Sequence, residues 1–484
     1  MQDVDIAIIK KRSIRGIFAL TYRTLAVQVL GFAANFILTI FLSPSVFGVY
    51  FVVSAAIAFL SYFSDIGLAA ALIQKKDEIS DDDLKTTFTI QQILVVLVVL
   101  ISLLASGFIK SFYSLDSSGI FLFQALVIAF FLSSLKTIPS IILERKLEFG
   151  KLVIPQIVES LVFNIIVVVL AIKGFGMTSF AIAVLARGAV GLIAIYLISP
   201  WKVRLGISKE SAKKLLSFGI PFQANSFIAF LKDDLLIAYL GKVLPIAQVG
   251  YIGFAQKWAF MPLRLIMDNV IRITFPSFSR LQGNKNLLGQ AVEKSIFGSA
   301  LIVLPSLAGL VIMAPYFIKI IPKYDKWEPA IFSLAFFALN SCLSSISTPL
   351  TNALNSIGKI KITLYLMIFW TISTWALTPI LIMLMGYNGV AVASFIISLS
   401  VVIVVYISKK YIKFNVSSVF YPFSASLVMS IFIYFLMRVL PINIVTIFSG
   451  IALGAILYFV LIFLMAKRMV ISDFQMVKEN VFNK

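Results

Sequence analysis

About fourteen apolar stretches, each long enough to cross a bilayer as a helix, follow one another along this chain, and the Lys and Arg residues between them fall on alternate connections. A hydrocarbon core accepts a helix of ~20 mostly apolar residues because every backbone N–H and C=O must find its partner within the segment. Such stretches lie near 17–42, 46–70, 87–109, 119–138, 153–172, 177–199, 216–240, 249–272, 295–318, 328–354, 362–384, 388–407, 419–439 and 444–466. The expected fold is all-α: a polytopic membrane protein of about 14 transmembrane helices. The odd-numbered loops hold only Lys110, Lys173, Lys242, Lys319, Lys323 and Lys326. The even-numbered loops and both tails hold about four times as many basic residues, which by the positive-inside rule makes both termini cytoplasmic. Lys10, Lys11, Arg12 and Arg15 precede the first apolar run, but Arg23, Gln28 and Asn35 interrupt it, so it reads as a retained span and not a signal peptide.

Composition narrows the function. Hydrophobic residues make up 60% of the chain and mean hydropathy is +1.02, far above a soluble domain. A net charge of +20 would suggest nucleic acid in a soluble protein. Here the basic residues are dispersed over short loops, where orientation and anionic membrane lipids account for them, so nucleic acid is not an expected partner. A single cysteine, Cys342, excludes an intramolecular disulfide, and the absence of histidine removes the commonest general base and metal ligand, so no metal site is expected. The outward loops are short and bring together no nucleophile, base and orienting group, so the chain is not expected to be an enzyme and has no catalytic candidates. No GxxxxGK loop is present to cradle ATP. Lys75 to Lys85, with Asp81, Asp82 and Asp83, and Trp201 to Lys214 read as solvated cytoplasmic linkers.

An even number of spans returns the chain to its starting side, so a seventh helix can repeat the orientation of the first. Phe47-Gly48-Val49-Tyr50 opens the second span with Asp65 near its inner end, and Val249-Gly250-Tyr251 opens the eighth with Asp268 near its inner end. Parallel repeats of this kind recur in transporters. The expected organisation is a six-helix lobe over 1–200, a cytoplasmic linker over 201–215, a pseudo-symmetric six-helix lobe over 216–413, and two additional helices with a cytoplasmic tail over 414–484.

Ionisable residues within spans cost at least ~2.5 kcal/mol each on insertion scales, so they mark cavities or tight pairs. Arg187 and Glu159 lie inside the sixth and fifth spans, and Lys232, Asp233 and Asp234 inside the seventh. In the eighth, Lys257, Arg264, Asp268 and Arg272 follow intervals that place them on one helix face. Asn225 and Lys232, and likewise Gln28 and Asn35, are seven apart and share a side of their helices. Two readings stay open. In one these stripes line a polar cavity; in the other Arg264 pairs with Asp268, Glu159 pairs with Arg187, and Arg23 and Arg272 snorkel to the interface. In the tenth span, Asn340, Ser341, Ser344, Ser345, Ser347 and Thr348 read as helix-packing residues. A cavity richer in cations than anions suits a phosphate-bearing substrate, because Arg presents a bidentate fork and Lys a point charge. The candidate phosphate contacts are Arg187, Lys257, Arg264, Arg23, Lys232 and Arg272. Asn35, Gln28, Glu159, Asn225, Asp233, Asp234 and Asp268 are the candidate polar or coupling residues.

Most of the chain resembles the Wzx-type polysaccharide transporters, the lipid-linked oligosaccharide flippases related to MATE-type exporters. The resemblance rests on Leu42-Ser43-Pro44, Phe47-Gly48-Val49-Tyr50, Asp65-Ile66-Gly67-Leu68 and Ala71-Leu72-Ile73-Gln74-Lys75 in the first half. In the second half it rests on Asp233-Asp234-Leu235-Leu236-Ile237, Leu240-Gly241, Gly250-Tyr251 and the run Phe275 to Gln282. It implies two six-helix lobes that rock to export undecaprenyl-pyrophosphate-linked sugar repeat units across the bacterial cytoplasmic membrane. It also implies no cofactor beyond a proton or sodium gradient, and partners limited to the lipid-linked substrate, membrane lipids and the polysaccharide assembly machinery. The chain departs from the family pattern at Asp234, where relatives often have an amide, and at Ala238, where they often have glycine. The rivals are a MATE-like drug or cation exporter, an integral-membrane glycan polymerase or ligase, and a non-transporting scaffold.

Overall fold

The computed structural model describes residues 24, 26–75 and 78–482, apart from the side chains of 63–65, 221–222, 224–230, 233, 268–269, 272–273 and 468–482. Arg23 lies outside the described residues. Every regular element among the described residues is a helix. In chain order they are α1 (Ala26–Phe41), α2 (Pro44–Asp65), α3 (Leu68–Gln74), α4 (Asp81–Leu104), α5 (Ser106–Phe112), α6 (Ser117–Ser134), α7 (Thr137–Arg145), α8 (Phe149–Ile172) and α9 (Thr178–Ile198). There follow α10 (Lys209–Val243), α11 (Ile246–Leu281), α12 (Lys285–Ile320), α13 (Ala330–Ser356), α14 (Ile360–Met385), α15 (Asn388–Ser398), α16 (Val401–Lys409), α17 (Phe420–Val439) and α18 (Ile444–Phe482).

Among the described residues eleven stretches, α15 and α16 counted as one, are long and apolar enough to cross a membrane. The three remaining predicted stretches coincide with α1, α10 and α11, the last two being long helices interrupted by charge. Several helix ends differ from the sequence reading for local reasons. The second predicted span breaks at Ile66 and Gly67, which adopt left-handed φ of 45° and 74° and separate α2 from α3. The fourth continues into α7, and the twelfth is split at Leu399–Ser400 into α15 and α16.

Packing divides the chain into two compact units, Met1–Gly250 and Tyr251–Lys484. Within the first unit α10 packs on α2, α3 and α4. Glycine permits the approach. A Cβ at Gly67 would overlap the backbone of Gly219 on α10, and a Cβ at Gly241 would overlap Val52 on α2. Tyr62 donates its hydroxyl to the Gln223 carbonyl, and Gln223 Nε2 donates to the Tyr62 carbonyl at 2.9 Å. Leu68, Leu72, Phe88, Ile138, Ile141 and Leu215 close the core where α3, α4, α7 and α10 meet.

Both loops read as solvated linkers keep most of their charged side chains exposed, yet each is anchored to the protein. Asp83 is 2% exposed and forms a capping box with Ser80 at the start of α4, and its carboxylate pairs with Lys75 at 2.5 Å. The acidic run is thus a helix start, where three carboxylates face the positive end of the helix dipole. Residues 199–208 have no regular secondary structure and run as a strap along α4: Gly206 N–H and Ser208 N–H each donate to a threonine hydroxyl, Thr89 and Thr86, at 2.9 Å. Trp201 packs its ring 5.0 Å from that of Phe88.

In the second unit α12 is the common support, packing against α13, α17 and α18. Met313, Met429, Ile433, Met437, Ile447 and Tyr458 are buried where α17 and α18 meet it, so the additional helix pair is packed into the unit. The small polar residues of α13 serve packing against α15: Ser333 Oγ donates to Asn388 Oδ1 and Asn340 Nδ2 to the Ser394 carbonyl, both at 2.8 Å, and Ser341 and Ser345 are fully buried.

Gly48 and Gly250 each lie against backbone. A Cβ at Gly48 would overlap the Ile246 carbonyl, and a Cβ at Gly250 would overlap the Pro44 carbonyl. Either Gly48→Ala or Gly250→Ala should therefore overpack the crossing and destabilise the detergent-solubilised protein by about 1–3 kcal/mol. Thermal unfolding checks this, with Gly31→Ala, whose Cβ would meet nothing within 4 Å, as the control expected to leave the melting temperature unchanged.

Candidate functional site

A cavity of about 500 Å³ opens inside the first unit, between α3, α6, α7, α8 and α9, with Val27 of α1 at its edge. One face of α8 supplies Leu152, Pro155, Gln156, Glu159, Ser160 and Phe163, spaced by three and four residues as a single helical stripe. Pro155 has no N–H, so the carbonyl one turn earlier lacks its intrahelical donor. Ser133, Thr137 and Ser140 add hydroxyls from α6 and α7, and Glu144 adds a carboxyl near the end of α7. α7 is not among the candidate membrane spans, and burial raises the pKa of Glu144.

Glu159 is the centre of the arrangement. Its Oε1 takes a charge-assisted hydrogen bond from Lys136 Nζ at 2.6 Å, while Arg187 Nε lies 3.7 Å from Oε2, within ion-pair range but beyond a hydrogen bond. The Glu159 and Lys136 side chains are 11% and 15% exposed, whereas Arg187 is 53% exposed into the cavity. Its guanidinium sits 5.9 Å from the centre of the Phe163 ring and donates no hydrogen bond to a protein acceptor among the described residues. Gly191, one turn beyond Arg187 on α9, creates the slot for the carboxylate, because a Cβ there would overlap Glu159 Oε1. Gln156 Oε1 is buried without a protein donor among the described residues. The cavity therefore holds two cations and two carboxylates, with one cation only loosely engaged.

Arg187 thus lies beside Glu159, as the pairing reading expects, and lines a cavity within the first unit. The other candidates are dispersed. Asn35 on α1 is buried, Gln28 on the same helix is half-buried, and Lys232 and Asp234 are half-buried on α10. Lys257 and Arg264 are exposed on α11 in the second unit. The side chains of Asn225, Asp233, Asp268 and Arg272 lie outside the described residues, as does Arg23. Sequence reasoning missed Lys136, which lies near one end of the predicted span 119–138. It also missed Gly191, although its four-residue spacing from Arg187 was a usable signal. Among the described residues no group of three or more His, Cys, Asp or Glu side chains is placed to hold a metal ion.

Residues 37–332 match the family model described as polysaccharide biosynthesis protein. The chain belongs to this family. Among its relatives is an uncharacterized membrane protein in the cps region of Klebsiella pneumoniae, 24% identical over 357 residues, covering 70% of each chain. Another is the lipopolysaccharide biosynthesis protein WzxC of Escherichia coli (strain K12), 24% identical over 366 residues, covering 75% of this chain and 74% of that one. Among solved structures, the Lipid II flippase MurJ in an inward closed conformation superposes with a TM-score of 0.75 at 15% identity, over 93% of this chain and 99% of that one. An inward-facing multidrug resistance MATE family transporter of the MOP superfamily gives 0.58 at 17% identity, over 81% and 99%. At such identities these structures show the fold alone: the chain shares the all-helical fold of these two transporters, and eleven stretches of its described residues are long and apolar enough to make it a multi-pass membrane protein.

Lys136→Met should leave Glu159 with only the loose Arg187 contact and destabilise the protein by about 3 kcal/mol or more, the cost of breaking a buried pair on one side. Lys136→Met combined with Glu159→Gln should recover most of that loss. Thermal unfolding of the two variants in one detergent decides the matter, and equal melting temperatures for Lys136→Met and the parent would refute the pairing.

Proposed function

We propose that the protein moves undecaprenyl-pyrophosphate-linked oligosaccharide repeat units across the bacterial cytoplasmic membrane for surface polysaccharide export, by alternating access, with both termini cytoplasmic. The observation that carries this reading is Arg187, half-exposed in a polar cavity of a polysaccharide biosynthesis protein and donating no hydrogen bond to the protein among the described residues. A guanidinium so placed can offer two parallel N–H donors to phosphate oxygens. A diphosphate carries more than one negative charge and outcompetes the distant Oε2 of Glu159. Lys136 stays on Oε1 and keeps the carboxylate neutralised while Arg187 changes partner. Support also comes from the relatives, since WzxC is a lipopolysaccharide biosynthesis protein and MurJ a flippase for Lipid II. Lys232, Lys257 and Arg264 are proposed as further cationic contacts along the route, a proton or sodium gradient as the energy source, and polysaccharide assembly proteins as partners.

A second reading draws on Glu144 and Glu159, whose carboxylates in one cavity would also suit export of an organic cation. Proteoliposomes carrying a defined lipid-linked oligosaccharide separate the two. The parent protein should translocate the lipid-linked sugar, and Arg187→Ala should slow this by about 10- to 100-fold, the equivalent of charged hydrogen bonds worth about 1.5–3 kcal/mol. Arg187→Lys should retain an intermediate rate. Imposed proton and sodium gradients identify the driving ion. Transport of a cationic dye with no movement of the oligosaccharide would replace the first reading with the second.

A further inference from the structure

The strap over residues 199–208 carries a pattern that neither chain connection nor substrate handling requires. Its anchored residues alternate with unanchored ones. Gly206 and Ser208 donate their N–H groups to α4, whereas Val203, Leu205 and Ile207 between and before them are 53%, 73% and 55% exposed. These three apolar side chains are thus all left uncovered by the protein along the strap. The basic residues around them include Lys202, Lys209 and Lys213, which form no ion pair among the described residues, while Arg204 is held by Asp81 at 2.6 Å. The N–H groups of Val203, Leu205 and Ile207 have no protein acceptor among the described residues.

Depth follows from the anchor points. Thr86 and Thr89 belong to the first turns of a membrane-spanning helix that begins at Asp81, and they fix the strap beside those turns. Unpaired backbone donors cannot reside in hydrocarbon, and uncovered aliphatic side chains are poorly placed in water. Both demands are met together only at the boundary between headgroups and acyl chains. There, apolar side chains enter the lipid and donors and ammonium groups reach phosphate.

We propose that this strap is a lipid-binding element of the cytoplasmic leaflet. Val203, Leu205 and Ile207 dip into the acyl boundary, and Lys202, Lys209 and Lys213 with the free N–H groups bind the phosphates of anionic phospholipid. The leaflet assignment rests on the charge bias of the loops; the lipid contact does not. The strap is then tied on one side to α4 and on the other to the bilayer, so the start of α10 is fixed to the membrane surface.

The test uses the full chain in a Cys342→Ala background, with a single cysteine at position 202, 203, 205 or 207 carrying a nitroxide. Each protein is reconstituted into phosphatidylcholine vesicles with or without phosphatidylglycerol. Labels at 203, 205 and 207 should be relaxed several-fold more by oxygen than by a water-soluble nickel chelate, and the label at 202 the reverse. Phosphatidylglycerol should deepen the three apolar positions. The combination of Lys202→Gln, Lys209→Gln and Lys213→Gln should abolish that deepening while the labelled proteins remain folded by circular dichroism. Labels at 203, 205 and 207 as open to the chelate as the label at 202 would overturn the membrane contact. Identical depths in both lipid mixtures would overturn the phosphate contact. Neither result touches the flippase reading, which the oligosaccharide assay decides separately.

Discussion

Hydrocarbon offers no hydrogen bonds, and that single deficiency organises this protein. It forces each crossing segment into a helix that satisfies its own backbone, and it makes association of those helices depend on close approach instead of on expulsion of water. The close approaches are made by glycine: Gly67 against Gly219, Gly241 against Val52, Gly188 against Leu132. Where backbone leaves the helix, as in the strap over 199–208, side-chain hydroxyls of α4 supply part of the missing partnership.

The same deficiency governs the charges. A lone carboxylate at Glu159 would be prohibitive inside a bundle, yet Glu159 survives because Lys136 neutralises it at hydrogen-bond distance and Gly191 leaves space for its oxygen. Arg187 is a second cation beside a carboxylate already satisfied, so its own charge is only partly compensated. Its placement over Phe163 and into the cavity is the form an uncommitted guanidinium takes when a ring face and a polar space are both available. Two carboxylates and two cations in one cavity also temper the expectation of a simple cationic lining. The site is a balanced set in which one member is weakly held.

Much of the fold was legible because its signals are one-dimensional. Length, apolarity and the bias of basic residues yield spans without reference to any neighbour, and α4, α8, α9, α13 and α14 lie close to their predicted positions. What escaped depends on partners distant in sequence. Lys136 meets Glu159 across 23 residues and two helix ends. Asp83 looked like part of a solvated acidic run because its burial depends on Lys75 and on the turn that begins α4. The strap looked like a hydrophilic connection because nothing in Trp201 to Ser208 reveals that Thr86 and Thr89 await its N–H groups. At the candidate site, Arg187 and Glu159 were legible as intramembrane charges, but the division of labour between them and Lys136 was not.

The crossing of α2 and α11 has a longer reach. Gly48 rests on the chain at Ile246, and Gly250 rests on the chain at Pro44, so both approaches set glycine against backbone. Main chain cannot swing aside as the tip of a flexible side chain can, so neither approach has slack. A larger residue at either position must therefore shift a helix start, and the whole helix that follows moves with it.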